Sequence, residues 1–436
     1  MRRAMMAMLL TACAGGSSPE ATIPEAPRVD AGAALPADAG AASGSVSTDP
    51  DAGTLAEADI AQATILRPDG GAPGDCEGLL PAALPPVVVH VEPISEASNE
   101  VCGIPLASGD GAVAYRASYR PGWTFLDASG QVTGRFAFWS GDIFAQAKGF
   151  IGYSGSSVLS MVAAAVLDKQ GGVAYSPNVL ATTGFFAADP NGGLLAVGQL
   201  APGGPEPDAS TPLSALMFAR DGSIRWGPVA LGTSAQIRSV AVDLAGRSLV
   251  LFDGARLFGP GSLAGEWFDA AGIGSEPFVV LDGGADKLGF ALAPLQPDGL
   301  ALQSLRAPFV FDETVASEWV SVLPSGKNAT APVPEWLAQR PNTRIAIARG
   351  GRGYAVLPNA AHLAKCDQQL ELVSLEGSSC GRIDFPLDDF ACVSRPLTLG
   401  LDGTVMQMLP PAREPFDPVG SAVRDCTLRY WPAALR

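Results

Sequence analysis

Two alternating series of tight-turn signals divide most of this chain at regular intervals, and this regularity constrains the fold more than any other feature. Short runs of Val, Leu, Ile, Phe and Ala are separated by turns of the type Asp-x-x-Gly, as at Asp127–Gly130, Asp189–Gly192 and Asp243–Gly246. Aspartate at the first turn position accepts backbone hydrogen bonds, and glycine at the fourth adopts the positive φ of a bulged hairpin. Helical periodicity of any length is absent, so the pattern predicts an all-β chain.

The spacing of the turns predicts the architecture. The first series lies near Asp110, Gly149, Asp189, Asp243, Asp298, Arg349 and Asp402. The second series lies near Asp127, Asp168, Asp221, Asp269, Ser325, Glu376 and Asp425. Two hairpins per interval make four strands, and a period near 50 residues with four strands is typical of a β-propeller blade. We therefore predict seven four-stranded blades, with six or eight as alternatives because the turn near Gly149 is the weakest.

A propeller also explains the small side chains. One four-stranded blade cannot bury both of its faces, whereas blades stacked in a ring bury them against each other through Ala, Gly and Val. A ring must close, and we expect Pro85–Val91 to pair with the final blade near Thr427–Trp431. Two β-sandwiches are the alternative architecture, but sandwich strands do not keep a 50-residue period over a whole region.

The N-terminus has the features of an export signal. Two arginines and a short apolar run precede Leu10-Thr11-Ala12-Cys13, which resembles the lipobox of bacterial lipoproteins. The resemblance implies a signal peptide over residues 1–12 and a lipid on Cys13. The apolar run is far shorter than the roughly 20 residues of a membrane-spanning helix. Ala14 follows the cysteine, which by the same resemblance favours the outer membrane, with the domain facing the periplasm or the cell surface.

A linker is predicted between the anchor and the propeller. Residues 13–75 begin with the lipidated cysteine and continue with Ala, Gly, Ser, Pro and Asp, including three Asp-Ala-Gly repeats. Such a composition buries too little apolar area to offset the entropy of ordering, so we predict a disordered, acidic spacer. The propeller domain then spans residues 76–436. The combination resembles exported bacterial lipoproteins that carry a DAG-rich tether and a propeller domain.

Six cysteines remain after Cys13, and an even number in an exported protein indicates disulfides. Six cysteines allow fifteen connectivities, and we expect sequential pairing. The expected pairs are Cys76–Cys102, Cys366–Cys380 and Cys392–Cys426. A zinc site is not expected, because no CxxC motif occurs and the chain holds two histidines.

The sequence contains few of the residue patterns that are typical of catalytic sites. His90 lies within an apolar strand and is interpreted as structural, and His362 is interpreted as a loop residue. There is no Gly-x-Ser-x-Gly elbow and no phosphate-binding glycine motif. Most aspartates occupy turns, where their role is conformational. Arg220–Trp226 resembles a PQQ-type repeat, but the other blades lack the tryptophan, so no cofactor is expected.

Aromatic residues near the turn signals are the candidates for a binding surface. They are Trp139, Phe185, Phe186 and Trp336. Such side chains bind sugars and protein partners when they project from a propeller face. In contrast, Trp123, Trp226 and Trp431 lie within predicted strands and are assigned to the core.

These features together favour a membrane-anchored, non-catalytic binding or scaffolding lipoprotein of the bacterial cell envelope. We expect a monomer whose partner is an envelope protein or a glycan. The formal net charge of −16 argues against binding to nucleic acid. The alternative is a glycan-active hydrolase or lyase, in which two carboxylates face each other across a pocket.

Overall fold

The computed structural model describes residues 62–68, 71, 73–91, 105–116, 123–136, 143–146, 148–153, 161–162, 164–167, 173–175, 179–202, 210–221, 223–232, 236–285, 288–306, 318–324, 330–341, 343–348, 351–358, 368–386, 397–409 and 426–435. All of them belong to one compact unit, Pro50–Arg436. Within them, the helical elements are a 3₁₀ turn at Gly74–Cys76 and the four-residue helices α1 (Ala255–Phe258) and α2 (Glu335–Ala338). The prediction of an all-β chain is confirmed.

The described strands form seven antiparallel sheets, which we call blades 1 to 7 in the order of their first strands. Two strands come from the N-terminal arm, defined as residues 62–91: β1 (Thr64–Leu66) and β2 (Val87–Val91). Blade 1 contains β3 (Leu106–Ala107), β4 (Val113–Arg116), β5 (Trp123–Leu126) and β6 (Val132–Phe136). Blade 2 begins with β7 (Ile143–Ala145) and β8 (Phe150–Tyr153); after β9 (Met161–Val162), which joins blade 3, it ends with β10 (Ala164–Leu167) and β11 (Val173–Tyr175).

The remaining blades follow the same plan. Blade 3 contains β12 (Val179–Ala188), β13 (Gly193–Pro202), β14 (Leu213–Ala219) and β15 (Ile224–Ala230). Blade 4 contains β16 (Ile237–Val242), β17 (Ser248–Asp253), β18 (Leu263–Phe268) and β19 (Phe278–Leu281). Blade 5 contains β20 (Leu288–Pro294), β21 (Leu300–Arg306), β22 (Trp319–Val322) and β23 (Thr330–Ala331). Blade 6 contains β24 (Thr343–Ala348), β25 (Gly353–Pro358), β26 (Gln369–Ser374) and β27 (Ser379–Asp384), and blade 7 contains β28 (Thr398–Leu399), β29 (Val405–Leu409) and β30 (Cys426–Trp431).

The blades form a closed ring, and the chain is a β-propeller. The first strands of successive blades contact each other from blade 1 to blade 6, and β28 of blade 7 contacts β3 of blade 1. Blades 6 and 7 share a buried apolar cluster that includes Leu357, Phe385 and Trp431. The first strands therefore surround a central channel. Seven blades for the whole chain stays a prediction, since these sheets comprise the described residues alone.

The predicted turns lie between neighbouring strands of the blades. Members of the first series join the first and second strands of a blade, and members of the second series join the third and fourth strands. The last member, Asp425, is the exception. It precedes β30, the third strand of blade 7, because the fourth strand of that blade comes from the other end of the chain.

The N-terminal arm closes the ring as the sequence predicted. Strand β2 is the outermost strand of blade 7, with Val87 opposite Tyr430 and Val91 opposite Cys426. The arm also contributes a fifth strand to blade 6, since β1 pairs with β27. Blade 3 likewise gains β9, which pairs with the start of β12.

Two predictions for the N-terminal region need correction. The linker was expected to reach residue 75, but β1 is already part of a sheet, because Ile65 packs against the core shared by blades 6 and 7. The expected pairs Cys76–Cys102 and Cys366–Cys380 are wrong, since Cys76 is bonded to Cys380 across 304 residues of sequence. The arm folds back along blade 6, and this places two cysteines together that sequence spacing keeps apart. The signal peptide, Cys13, Cys102, Cys366 and Cys392 lie outside the described residues.

The core consists of layers between neighbouring blades. Between blades 3 and 4, the fully buried Val197, Met217 and Phe252 pack with small residues such as Ala264. Each large side chain buried in this way stabilises the fold by about 1.5–3 kcal/mol. Trp123, Trp226 and Trp431 are 6%, 7% and 0% exposed, so their assignment to the core is confirmed.

Candidate functional site

The two faces of the ring differ in the length of their connections. We call the face with the first-to-second and third-to-fourth turns the turn face; its first-to-second turns are four or five residues long. We call the opposite face, which carries the second-to-third and blade-to-blade connections, the loop face. The longest stretches of sequence between strand ends at this face are residues 92–105, 307–318, 385–397 and 410–425, 12 to 16 residues each, most of which lie outside the described part of the chain. Long connections on a rigid scaffold are where proteins usually place binding residues.

Aspartates on the turn face hold the turns together. Asp189 and Asp243 are 0% and 1% exposed, and each accepts a hydrogen bond from the backbone N–H two residues later. Asp189 also pairs with Arg225 at 2.8 Å, and Asp243 pairs with Arg247 at 2.6 Å. These carboxylates are occupied by turn and blade contacts, as the sequence analysis expected of most aspartates.

Hydrogen bonds also join the turns of successive blades. The Asp110 carboxylate of blade 1 accepts from the Gly149 N–H of blade 2 at 3.1 Å. The Asn191 amide of blade 3 donates to the Leu244 carbonyl of blade 4 at 3.1 Å. Arg247 of blade 4 also contacts Asp298 of blade 5. These contacts on the turn face join blade 1 to blade 2, and blade 4 to both blade 3 and blade 5.

In exposed turns of the second series, a serine hydroxyl also donates a hydrogen bond to the aspartate. Ser129 Oγ donates to Asp127 at 2.6 Å, and Ser223 Oγ donates to Asp221 at 2.6 Å. The hydrogen bond from each serine holds the pKa of the aspartate below its usual value. Both carboxylates are therefore ionised at neutral pH, and their lowered pKa has a local structural cause.

The central channel is bordered by one edge of each first strand. Among the described residues, the first strand of six blades is the last member of its sheet and pairs with the second strand alone; in blade 3, β9 covers the start of β12. The other edge of each first strand faces the channel. Neighbouring blades cover the strand faces, so the accessible part of a first-strand side chain borders the channel. Phe185, which is 37% exposed on β12, is one such residue.

Two arginines lie where the channel opens onto the loop face. Arg238 and Arg344 are each the second residue of a first strand, in blades 4 and 6. Each donates to a carbonyl of the connection that enters the following blade: Arg238 to Ala285 at 3.0 Å, and Arg344 to Leu397. Arg238 also lies over the ring of Phe290, 5.8 Å from its centroid. The same arrangement thus occurs twice at the mouth of the channel.

Arg344 carries a charge that the described residues do not balance. Its Nε atom is buried and has no hydrogen-bond partner among them, and its guanidinium forms no ion pair with their carboxylates. Burial lowers the pKa of Arg344 from its ordinary value. Arg340, by comparison, holds Glu371 through two hydrogen bonds of 3.0 and 2.8 Å. An unbalanced, partly buried cation is costly, and an anionic ligand would relieve that cost.

The predicted aromatic residues do not form one site. Trp336 is 8% exposed and packs against Tyr354 with ring centroids 5.0 Å apart, so its assignment to a binding surface is wrong. It lies on α2 in a blade-to-blade connection that folds into the core between blades 5 and 6. Phe186 is half-buried against the cluster of Leu194 and Phe218, which also corrects its assignment. Phe185 has the expected exposure, and Trp139 lies outside the described residues.

Sequence reasoning missed the two channel arginines. Each lies five residues before the first-series turn position of its blade, namely Asp243 and Arg349. Superposing the blades on the turn series would have placed both arginines at equivalent positions. The equivalence of the two arginine positions is visible in the sequence only after the blades have been aligned on their turns.

None of the helices in the described part of the chain is both long and apolar enough to cross a bilayer. Within the same residues, no group of three or more His, Cys, Asp or Glu side chains is arranged to hold a metal ion.

Comparisons with known proteins show distant structural likeness. No protein-family model and no curated protein sequence matches the chain. A solved streptogramin B lyase is similar at 12% identity and a TM-score of 0.41, covering 79% of this chain and 97% of the lyase. A gluconolactonase from Xanthomonas campestris is similar at 10% identity and a TM-score of 0.39, covering 85% and 96%. Prolyl oligopeptidase B from Galerina marginata is similar at 10% identity and a TM-score of 0.42, covering 72% and 48%. Likeness at this level carries no argument about activity.

Proposed function

We propose that this chain is a lipid-tethered binding module of the bacterial cell envelope, which binds a saccharide bearing a single carboxylate at the loop-face mouth of its channel. The observation that carries the proposal is Arg344, a partly buried guanidinium whose Nε has no partner and whose charge has no balancing carboxylate among the described residues. A carboxylate is the natural partner of a guanidinium, because its two oxygens match the N–H groups.

A saccharide fits the other features of the channel mouth. The channel-facing edges of the first strands are sheet edges among the described residues and offer backbone donors and acceptors for hydroxyl groups. Phe185 and Phe290 add aromatic surface on first strands of blades 3 and 5. A ligand with one carboxylate also suits a protein of net charge −16 better than a polyanion does, since repulsion of a single charge is screened beyond about 8–10 Å.

The binding test uses a matched pair of probes and a matched pair of variants. Cellobiouronic acid carries one carboxylate, and cellobiose is its neutral counterpart. We expect calorimetry to detect binding of the acid and at least tenfold weaker binding to Arg344→Gln, because a charge-assisted hydrogen bond contributes roughly 1.5–3 kcal/mol. The control Arg382→Gln removes the same charge from the outer strand β27, where Arg382 pairs with Asp384 at 2.7 Å, and should bind as the wild type does.

Two results would reject the binding proposal. Equal affinity of the wild type and Arg344→Gln would remove Arg344 from the site, and equal affinity for the acid and the neutral sugar would remove the carboxylate. Turnover of either probe would instead favour the alternative of a glycan-active enzyme.

The lipid tether is tested separately. Cys13→Ser should move the protein from the membrane fraction to the soluble fraction of a cell lysate, since the lipid is the proposed membrane contact. Retention of Cys13→Ser in the membrane fraction would exclude Cys13 as the anchor.

A further inference from the structure

The N-terminal arm is bound to blade 6 before it reaches blade 7. Strand β1 pairs with β27 through three residues, Thr64 to Leu66. Ser374 Oγ donates to the Asp75 carboxylate at 2.5 Å, and Arg352 donates to the Glu77 carbonyl at 2.9 Å. Between these contacts, Cys76 is covalently joined to Cys380 of β27. The arm is thus fixed to blade 6 on both sides of the disulfide.

The middle of the arm is also built into the core. Cys76, Leu79 and Leu84 are 3%, 1% and 5% exposed and belong to the apolar cluster that blades 6 and 7 share. That cluster includes Trp431 and Leu435 from the C-terminal end of the chain. The arm then continues to β2, which completes blade 7. Closure of the ring therefore depends on the last part of the arm.

We propose that the arm is a load-bearing strap, in which the Cys76–Cys380 disulfide takes tension from the N-terminal side and shields the closing strand β2. This inference rests on the proposed function, because tension arises only if the chain is tethered upstream of residue 62. Force that enters at Gln62 first peels β1 from β27. At Cys76 the force passes through the disulfide into β27, which is an integral strand of blade 6.

The disulfide determines which contacts carry the tension, because Cys76 precedes β2 along the chain. Without the disulfide, tension would act next on residues 77–86, which include the buried Leu79 and Leu84, and then on Val87, the first residue of β2. Peeling β2 from β30 would break the register of Val87 with Tyr430 and uncover Leu428 and Tyr430, which are both 0% exposed. With the disulfide, the chain beyond Cys76 carries little of the load, so blade 7 stays closed.

Single-molecule pulling on the full chain tests the strap. One handle is attached at the N-terminus, and the other at a biotin-acceptor peptide inserted after Ala271, an exposed residue of a blade 4 turn. In oxidised wild type, we expect low force to release the arm only up to Cys76. In the double variant Cys76→Ser/Cys380→Ser, we expect residues 76–91 to be released as well, an additional length of about 50–60 Å, at a force below that at which blade 7 opens in the oxidised wild type.

A second variant separates the disulfide from strand pairing. Ile65→Pro disrupts β1 but keeps the disulfide, so the first release should be lost while blade 7 opens at the wild-type force. If the double variant does not fold, the oxidised wild type is pulled before and after addition of a phosphine reductant, with the same expectation. Equal released length and force with and without the disulfide would overturn the strap. Membrane fractionation of Cys13→Ser tests the tether independently of this result.

Discussion

Single aspartates on the turn face do more than shape their own turns. Asp243 accepts hydrogen bonds from the backbone of Ala245 and Arg247 at 2.9 Å each and pairs with the Arg247 guanidinium while 1% exposed. Asp269 makes the same two backbone contacts, with Ala271 and Ile273, in an exposed turn. Substitution of each of the two residues therefore distinguishes the stability contributed by the ion pair from the stability contributed by the turn hydrogen bonds.

We predict that Asp243→Ala lowers the free energy of unfolding by about 2–3 kcal/mol, because the change removes the ion pair with Arg247 as well as the turn hydrogen bonds and leaves Arg247 with Asp298 alone. Asp269→Ala should cost about 1 kcal/mol, as loss of a turn contact does. Chemical denaturation of both variants measures the difference. Equal losses would mean that the buried pair adds nothing to the turn.

Glu266 provides a pH-dependent prediction at the same scale. It is 5% exposed on β18, and burial raises the pKa of its carboxyl above the ordinary value of 4.5, although the Gly232 N–H donates to it at 3.1 Å. A folded-state pKa above the unfolded one means that the folded chain binds the proton more tightly. Stability from this group is then complete below about pH 4 and is lost as the pH rises through the folded-state pKa.

Replacement of Glu266 by Gln should therefore stabilise the protein at pH 7 and leave its stability at pH 4 nearly unchanged. Thermal unfolding at both pH values measures this, with the exposed Glu276→Gln as the control, for which we expect the same melting temperature as wild type. A Glu266→Gln variant that melts lower than wild type at pH 7 would contradict a neutralising effect of burial.

At the scale of elements, the seam between blades 7 and 1 is the place where the two ends of the chain meet. The Tyr430 hydroxyl of β30 donates to the Asp127 carbonyl in a blade 1 turn at 2.7 Å. Gly130 of that turn has φ +88°, and a Cβ there would lie 2.9 Å from Val87 and from Val89 of β2. The seam is therefore tightly packed on both sides of its hydrogen bond.

We predict that Tyr430→Phe lowers the free energy of unfolding by about 1 kcal/mol, because the Asp127 carbonyl loses the Tyr430 hydroxyl and keeps the Gly130 N–H alone. Gly130→Ala should cost more, since it combines an unfavourable φ with a steric clash against β2. Denaturant unfolding of both variants ranks them. A Gly130→Ala variant as stable as wild type would show that the seam can widen without cost.

Elements also show what sequence could and could not predict. The Asp-x-x-Gly turns predicted hairpins because turn chemistry is local, and the pairing of Pro85–Val91 with the last blade followed from the need of a ring to close. The position of Cys76 beside Cys380 depends on the path of the arm along blade 6, which leaves no mark in local sequence. Trp336 lies two residues after Pro334 and looks like a loop residue, yet it packs against Tyr354 of β25 and is buried.

At the scale of the whole molecule, the Cys76–Cys380 disulfide reduces the number of pairings that the other cysteines can form. With Cys76 bonded to Cys380, four cysteines remain for the folded domain, and four allow three connectivities. We predict that non-reducing peptide mapping finds Cys76 linked to Cys380 and Cys392 linked to Cys426, which leaves Cys102 for Cys366. A peptide that links Cys76 to Cys102 would contradict the fold of the arm.

The molecule has two faces with different roles in this account. The turn face is bound together by aspartates and arginines, whereas the loop face carries the long connections and the mouth of the channel. Strand β1 attaches the N-terminal arm at the outer edge of blade 6. We expect the loop-face end of the channel to be the binding end, because both channel arginines lie there.

Hydrogen–deuterium exchange of the intact protein with and without cellobiouronic acid tests binding at the channel mouth. We expect the acid to slow exchange at the start of β24 and β16, around Arg344 and Arg238, while the turns at Asp243 and Asp269 exchange as before. Protection confined to the turn face, or equal protection by cellobiose, would contradict binding at the channel mouth.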